Sequence, residues 1–339
     1  MLSAVELKRL ALAAGFHRVG LARAEPIDSS ALDRWLERGM AADMDWIARR
    51  RAERLEVTRL LPSAKSVLVL AVGYAAGEPR PIARYARGRD YHYTLRDRLK
   101  RLRKAILETA PCLPTYGSVD SGPLMEKVWA ERAGIGFMGK HGLIIAPGYG
   151  SRLMLAALIL GDEADAYDVP LERQCGSCTL CMGACPTGAI PEPGIVDARL
   201  CLSYQTIENA GSVPLELRPA FSQGIFGCDR CQEVCPWNAA RSISDDAGLA
   251  ERPLARLTTR EFASLTPERY AQLIPGSALV RSGFDGLRRN AVLALGAAGD
   301  VGARSIVEAL TRDAAPQVAE AAQWALAQLD APPAATTQG

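Results

Sequence analysis

The thiols of this chain are the side chains whose spacing points most directly to chemistry. Eight of the nine cysteines lie between Cys175 and Cys235. The run C-x2-C-x2-C-x3-C-P is typical of bacterial two-cluster ferredoxins, in which three thiolates hold one iron–sulfur cluster and the fourth reaches a second. The alternative is zinc, because zinc ribbons also use C-x2-C pairs. This first run consists of Cys175, Cys178, Cys181 and Cys185, followed by Pro186.

A second run, C-x2-C-x3-C-P, is one cysteine short, and Cys201 can supply the missing ligand. If the ligands cross between runs, eight thiolates make two clusters of four. We expect one cluster on Cys175, Cys178, Cys181 and Cys235. We expect the other on Cys185, Cys201, Cys228 and Cys231. The ninth cysteine, Cys112, is predicted to be a small buried or half-buried residue.

Composition is that of a globular protein with two or three domains. The 339 residues are 48% hydrophobic and 23% charged, and the net charge is +2. A polyanionic partner would therefore need a local basic patch. The apolar runs are shorter than the ~20 residues of a membrane span, and the N-terminus lacks the pattern of a signal peptide. We expect a cytoplasmic protein, in which clustered thiols are metal ligands and not disulfides.

The first 165 residues alternate helical and strand-like patterns, which predicts an α/β domain. An amphipathic helix opens the chain. Continuous apolar runs predict buried strands at Ser66–Val72 and Leu153–Leu160, and a shorter one at Gly142–Ile145. Leucines at helical spacing predict a helix over Tyr93–Leu107.

Residues 166–245 are predicted to form a ferredoxin-like domain, and residues 246–332 an α-helical domain. In the helical part, "RRNAVLALGAAGD" at 288–300 is echoed by "AEAAQWALAQLDA" at 319–331. A repeat of this period, one helix pair per unit, is typical of HEAT-like repeats. The tail, 333–339, is expected to be flexible.

A glycine-rich stretch, residues 116–151, has the composition for close approach to a bulky flat ligand. It contains Asp120, which we expect at a strand end or turn. A carboxylate there is either a turn cap or an acid that transfers protons.

The most basic segment, residues 80–104, has ten Lys or Arg against two Asp, with Tyr and His interleaved. It is either the solvated face of a helix or a surface for phosphates and stacked bases. Composition does not separate the two.

Four features together resemble the epoxyqueuosine reductase family, over residues 1 to about 330. They are "YARGRDYH", "VDSGPLMEKVWAERAGIGFMGKH", the eight-cysteine layout and the terminal repeat pair. The resemblance implies an oxidoreductase with cobalamin and two 4Fe-4S clusters, related to reductive dehalogenases. Its reaction converts epoxyqueuosine to queuosine at the wobble position of tRNAs with a GUN anticodon, with the oxygen lost as water.

The resemblance also implies roles for single residues. Asp120, in the V-D-[ST] motif, would be the proton donor and would need a raised pKa. Asp90 lies in the motif R-x3-G-[RK]-D-Y-H, and Ala83 stands where some relatives have cysteine, so we expect no thiol chemistry there. The implied cobalamin pocket comprises Arg54, Asp120, Gly139, Lys140, His141, Ile144, Leu155 and Ser203.

The remaining expectations concern partners. Candidate contacts to tRNA or substrate are Arg84, His92, Arg98, Arg101, Arg281, Arg288 and Arg289. We expect a monomer that receives electrons from a flavodoxin or ferredoxin. The alternatives are a reductive dehalogenase-like cobalamin enzyme and a ferredoxin-type electron carrier, which absorbance bands of a bound corrin would distinguish.

Overall fold

A computed structural model of the chain describes residues 3–74, 77–239 and 246–331. The predicted tail, 333–339, lies outside them. The chain divides into two compact units. Unit 1 comprises Met1–Gly77, Asp90–Arg199 and Arg230–Ala250. Unit 2 comprises Glu78–Arg89, Leu200–Asp229 and Glu251–Gly339.

The described elements of unit 1 alternate helices and strands, as an α/β fold requires. They are α1 Ala4–Ala13, β1 Arg18–Arg23, α2 Ser30–Glu37, α3 Asp45–Arg49, α4 Arg51–Leu55, β2 Ser66–Gly73, α5 Tyr91–Thr109, β3 Thr115–Ser118, α6 Glu126–Arg132, β4 Phe137–Met138, β5 Ile144–Ile145, β6 Leu153–Leu160 and α7 Leu180–Gly183. A later short helix, α9 Arg230–Glu233, also belongs to this unit.

The main sheet of unit 1 has the strand order β1-β2-β6-β3, and all its neighbouring strands are antiparallel. Val69 of β2 lies opposite Gly20 of β1 and Ala157 of β6. Every residue of β2 is buried, which explains its unbroken apolar run. The predicted strands at 66–72 and 153–160 are confirmed, whereas the one at 142–145 is reduced to the two residues of β5, paired with β4.

Helices cover both faces of this sheet. One face packs against Trp129 of α6 through Val67 and Ile159. The other faces α5, since a Cβ on Gly117 would lie 2.8 Å from Cδ2 of Leu99. Helix α5 contains the whole predicted helix and buries a stripe at the predicted spacing: Leu95, Leu99, Leu102 and Ile106.

The chain reverses between β3 and α6, where the glycine-rich stretch begins. Asp120 has φ 53°, a left-handed conformation that is costly for a residue with a side chain. The turn is closed by a hydrogen bond of 2.5 Å from the backbone N–H of Ser121 to the carbonyl of Val119. The expectation that Asp120 lies at a strand end or turn is confirmed.

Cys112 is exposed, in a turn between α5 and β3, so the expectation that it is buried or half-buried was wrong.

Unit 2 is helical apart from irregular segments. Its described helices are α8 Leu202–Ile207, α10 Thr259–Ala263, α11 Pro267–Leu273, α12 Gly283–Ala297, α13 Arg304–Leu310 and α14 Pro316–Asp330. The echoed segments fall largely on α12 and α14, which pack closely: a Cβ on Gly296 would lie 2.6 Å from the Cα of Ala325. The helix pair is therefore present, and its assignment as HEAT-like stays a prediction. None of the described helices has the length and apolarity to cross a bilayer.

Candidate active site and iron–sulfur domain

The Asp120 side chain projects outward from a buried turn. Its exposed fraction is 61%, whereas the neighbouring Val119 and Leu124 are 3% and 2% exposed. A side chain in this position is open to a ligand while its backbone is held by the core. The strained φ of the residue is thus maintained by packing around it.

The first turn of α5 delivers two partners to this carboxylate. The Tyr91 hydroxyl donates to Oδ2 of Asp120 at 2.6 Å, and Nε2 of His92 lies 3.3 Å from the same oxygen. On the other side of the imidazole, Nδ1 lies 2.8 Å from Oδ1 of Asp90. Asp90 also caps the helix by accepting from the backbone N–H of His92 at 2.9 Å. Asp90 therefore both caps the helix and orients the imidazole ring of His92.

These contacts set the charges of the site. Loss of water around the carboxyl, from the protein groups beside it, raises the pKa of Asp120, but the hydrogen bonds from His92 and Tyr91 outweigh it, and the net pKa lies below its usual value. For His92, burial lowers the pKa, but the hydrogen bonds to Asp120 and Asp90 raise it to about 9. The expectation of a raised pKa at Asp120 was therefore wrong, because the proton of this pair is held by the imidazole.

A second carboxyl, Glu126, was not singled out from the sequence. It is the first residue of α6, and Ser118 Oγ donates to its Oε1 at 3.3 Å. Burial and the nearby charge of Asp120 raise its pKa to about 8, so it is a neutral acid at pH 7. A glutamate that opens a helix is common, and only its raised pKa in a half-buried position makes it chemically distinctive.

Two of the residues expected around the cofactor carry buried nitrogens without a partner among the described residues. They are Nε of Arg54, on α4, and Nε2 of His141. Burial holds the pKa of His141 at about 4, so the ring is neutral. Its Nδ1 accepts from the backbone N–H of Leu143 at 3.2 Å, so Nε2 carries the hydrogen. A buried donor normally pairs with protein, ordered water or a ligand, so these two nitrogens are open to a further partner.

The other predicted pocket residues are spread over both units. Gly139, Lys140 and Ile144 belong to the β4–β5 hairpin, and Lys140 Nζ donates to the carbonyl of Gly176 in the cysteine segment at 2.7 Å. Leu155 is half-buried on β6. Ser203 lies on α8 of unit 2. All the residues of the predicted cobalamin pocket except Ser203 therefore belong to unit 1.

Four cysteines of unit 1 come into one neighbourhood. Cys235 is buried with Phe137 and Ile145, and Cys175 packs against the same group. Burial raises the pKa of the Cys181 thiol, and Cys175 and Cys235 raise it further. Cys175 and Cys178 act in the same way on Cys235. These are the residues that the crossed assignment gives to one cluster.

The other four predicted ligands are divided between the units. Cys185 and Cys231 belong to unit 1, and Cys201 and Cys228 to unit 2. Their assignment to one cluster stays a prediction.

The arginines proposed for tRNA contact are mostly engaged within the fold. Arg98 is 7% exposed and pairs with Asp246, and Arg289 is 1% exposed and donates to the carbonyl of Gln205 at 2.9 Å. Arg288 pairs with Asp313. The remaining contacts are Arg84 to Asp229 at 3.3 Å, Arg281 to Glu208 at 2.6 Å and Arg101 to the Ala14 carbonyl at 3.1 Å.

Apart from Arg101, the exposed cations of the basic segment are residues that were not selected, chiefly Lys100, Arg103 and Lys104 on α5. Lys100 and Lys104 lie opposite the buried leucine stripe, as helical periodicity would have indicated. Arg98 was selected in their place, although it flanks the stripe and is buried with it.

Comparison with known proteins places these features in a class and then in a family. The description "4Fe-4S double cluster binding domain" matches residues 174–238, so the chain is an iron–sulfur protein with an α/β unit that bears an exposed, hydrogen-bonded carboxylate. The description "Epoxyqueuosine reductase QueG, DUF1730" matches residues 54–121.

The epoxyqueuosine reductase of Gloeobacter violaceus is 41% identical over 88% of this chain and 97% of its own length. A crystal structure of epoxyqueuosine reductase with an epoxyqueuosine-modified tRNA-Tyr stem loop superposes with a TM-score of 0.86 at 30% identity, covering 96% of this chain and 89% of that one. A structure of the Bacillus subtilis epoxyqueuosine reductase, with its aspartate catalytic loop swung out of the active site, superposes with a TM-score of 0.87 at 30% identity. The match covers 97% of this chain and 90% of that one. The chain belongs to the epoxyqueuosine reductase family, whose members are oxidoreductases.

Proposed function

We propose that this chain reduces epoxyqueuosine to queuosine at the wobble position of tRNAs with a GUN anticodon. The observation that carries the proposal is the near full-length match to epoxyqueuosine reductases, combined with an exposed aspartate held by His92 and Tyr91. The overall change removes the epoxide oxygen as water and leaves an alkene. It consumes two electrons and two protons.

The two clusters deliver the electrons. The neighbourhood of Cys175, Cys178, Cys181 and Cys235 supports the first cluster on those thiolates. The second is proposed on Cys185, Cys201, Cys228 and Cys231. We propose a flavodoxin or ferredoxin as the external donor, and a cytoplasmic monomer as the working form.

Cobalamin fits the residues of unit 1. The corrin carries amide side chains with hydrogen-bond acceptors, and Arg54 Nε and His141 Nε2 are buried donors without partners among the described residues. Gly139, Lys140, Ile144 and Leu155, which also belong to unit 1, would complete the pocket, and the role of Ser203 stays a prediction. When bound, cobalamin supplies a metal centre that stores reducing power that protein side chains cannot.

Asp120 would transfer protons to the departing oxygen. An alkoxide is a poor leaving group, so an acid within hydrogen-bond reach lowers the barrier to C–O cleavage. The Tyr91 hydroxyl, 2.6 Å from Oδ2, orients the carboxylate. Ala83 leaves no thiol at the position where some relatives have one.

Binding of tRNA is expected to use exposed cations. Lys100, Arg103 and Lys104 are available on α5, while Arg98, Arg288 and Arg289 are held within the fold. The helix pair α12–α14, predicted to be HEAT-like, is a second candidate surface. The known complex of a relative with a tRNA stem loop supports an anticodon-loop substrate.

The test is an anaerobic assay of the purified chain with reconstituted clusters, added cobalamin and tRNA containing epoxyqueuosine. Nucleoside mass spectrometry should show conversion to queuosine, dependent on the reductant and on cobalamin. The proposal would be contradicted if queuosine formed without cobalamin. It would also be contradicted if no queuosine formed with any reductant. Corrin bands in the absorbance spectrum would exclude a simple electron carrier, and dehalogenation of an aryl halide would favour the dehalogenase-like alternative.

A further inference from the structure

Asp120 alone cannot supply the protons that the reaction consumes. Loss of the epoxide oxygen as water takes two protons for each pair of electrons, and one carboxyl group carries at most one. The contacts of Asp120 also keep it ionised at neutral pH, since they hold its pKa below the usual value. A second group must therefore protonate this carboxylate during turnover.

Asp90, His92 and Asp120 form a continuous chain of polar atoms. Oδ1 of Asp90 lies 2.8 Å from Nδ1 of His92, and Nε2 of His92 lies 3.3 Å from Oδ2 of Asp120. The side chains of His92 and Asp90 are 23% and 13% exposed, whereas that of Asp120 is 61% exposed. The chain thus runs from a sheltered carboxylate to one that is open to substrate.

The rings around the chain restrict its motion. Tyr91 stacks on His92 with centroids 4.2 Å apart, and its hydroxyl shares Oδ2 of Asp120 with the imidazole. The backbone N–H of His92 is bound by the same Asp90 oxygen as its Nδ1. Both rings are therefore held by the first turn of α5, and one carboxylate oxygen faces both of them.

We propose that Asp90–His92–Asp120 is a proton relay in which the His92 imidazolium transfers a proton to Asp120 during reduction. This inference rests on the proposed function. In each step the Nε2–H bond of His92 breaks, an O–H bond forms on Asp120, and that proton then passes to the departing oxygen. Asp90 keeps the ring oriented and stabilises its charged form through Nδ1. The neutral imidazole then takes a proton from solvent, which restores the Nε2–H bond before the second proton is needed.

In this relay His92 acts through Asp120, so it is a positioning and proton-supplying residue. The relay predicts that alkene formation fails when His92 loses its proton, as pH rises through its pKa of about 9. Other charged groups face the pair and could affect its titration. They are Glu126 and Lys127 on α6, Arg54 on α4 and Arg96 on α5.

The experiment measures single-turnover alkene formation by enzyme that carries both clusters and cobalamin and is reduced beforehand, across a pH range that brackets the His92 pKa of about 9. His92→Gln keeps a polar side chain but cannot ionise. Asp90→Asn still caps the helix, because Asn caps about as well as Asp, but lacks the charge that favours imidazolium. Glu126→Gln is the matched control, because it removes the other group with a pKa near this range.

Wild type should lose rate above pH about 9. His92→Gln should be slower by about 100-fold and should lack this alkaline decline. Asp90→Asn should move the decline to lower pH. Glu126→Gln should move it less, because Asp90 and Asp120 are the groups that raise the pKa of His92. The double variant His92→Gln with Asp120→Asn should be no slower than Asp120→Asn alone, because residues that act as one unit are not additive.

Two results would overturn the relay. One is a His92→Gln variant that keeps the wild-type alkaline decline; the other is an Asp90→Asn variant whose decline does not move. If His92→Gln fails to fold, as cluster absorbance would reveal, Asp90→Asn decides the matter alone. Absence of queuosine with the wild-type enzyme would instead refute the proposed function itself, so the two failures are distinguishable.

Discussion

At the scale of single residues, environment decides which group of the site carries a proton. Asp120 and Glu126 are both carboxyls of one region, yet contacts from His92 and Tyr91 lower the pKa of the first while burial raises that of the second. Residue type alone would assign them the same chemistry. Groups whose environments push their pKa values apart are typical of acid–base sites.

Replacing Asp120 with Asn tests the acid directly. Asn tolerates the left-handed φ of 53° and keeps the shape of the side chain, but it cannot relay a proton. We expect tRNA affinity and cluster absorbance to be retained and the single-turnover rate to fall by about 100-fold. A rate equal to that of wild type would reduce Asp120 to a turn residue. Asn at neighbouring Ser121, an exposed position, serves as the control.

The three histidines of the chain should titrate in different ranges. The pKa of His92 is raised to about 9, whereas burial lowers the pKa of His141 to about 4 and also lowers that of His17. In a nitrogen-15 NMR titration of histidine-labelled protein, we therefore expect one charged and two neutral rings midway between the usual histidine pKa and that of His92. Asp90→Asn should move only the charged one. Three neutral rings there would contradict the structure around Asp120.

At the scale of elements, α5 contributes both to the active site and to the basic surface. Its capped first turn positions Tyr91 and His92, and its exposed side carries Lys100, Arg103 and Lys104 further along. Residues four apart share a face of a helix, so Lys100 and Lys104 lie side by side on α5. One helix therefore connects the proton chemistry with a basic surface.

Neutralising that surface should weaken tRNA binding. Removing a phosphate contact reduces the slope of log affinity against log salt by about one, because fewer counterions are released. The triple change Lys100→Gln, Arg103→Gln, Lys104→Gln should therefore lower affinity and flatten the slope, as measured by fluorescence anisotropy from about 50 to 200 mM salt. Lys65→Gln, an exposed cation outside α5, is the matched control. Equal slopes for the triple variant and wild type would return these residues to the solvated-face interpretation.

Much of this element-scale organisation could be predicted from sequence. Unbroken apolar runs indicated β2 and β6, and leucine spacing indicated α5. The pairing of Arg98 with Asp246 could not be predicted, because it joins residues far apart in the chain. For the same reason the pKa of Asp120 was misjudged: it depends on a helix that begins almost thirty residues earlier, as the Tyr91 contact shows.

At the scale of the whole molecule, the chain crosses between its two units several times. Unit 2 takes Glu78–Arg89 and Leu200–Asp229 from the middle of the sequence, so the eight predicted cluster ligands do not all belong to one unit. Cysteine spacing reveals a two-cluster domain because local loops fix the ligand geometry. It does not reveal which unit each ligand joins, since that depends on long-range packing.

The crossed ligand assignment leads to a test at this scale. Cys235 is close in sequence to Cys228 and Cys231, yet it shares a buried neighbourhood with Cys175 and Cys181. Cys235→Ala should therefore destroy the cluster held by the first run and leave the other intact, lowering iron from about eight to about four per chain. Iron analysis and electron paramagnetic resonance of the reduced protein would measure this, with Cys112→Ala, an exposed cysteine outside both sets, as the control. The companion variant Cys201→Ala should remove the second cluster only. If Cys235→Ala and Cys201→Ala removed the same signal, both residues would serve one cluster and the crossed assignment would be wrong.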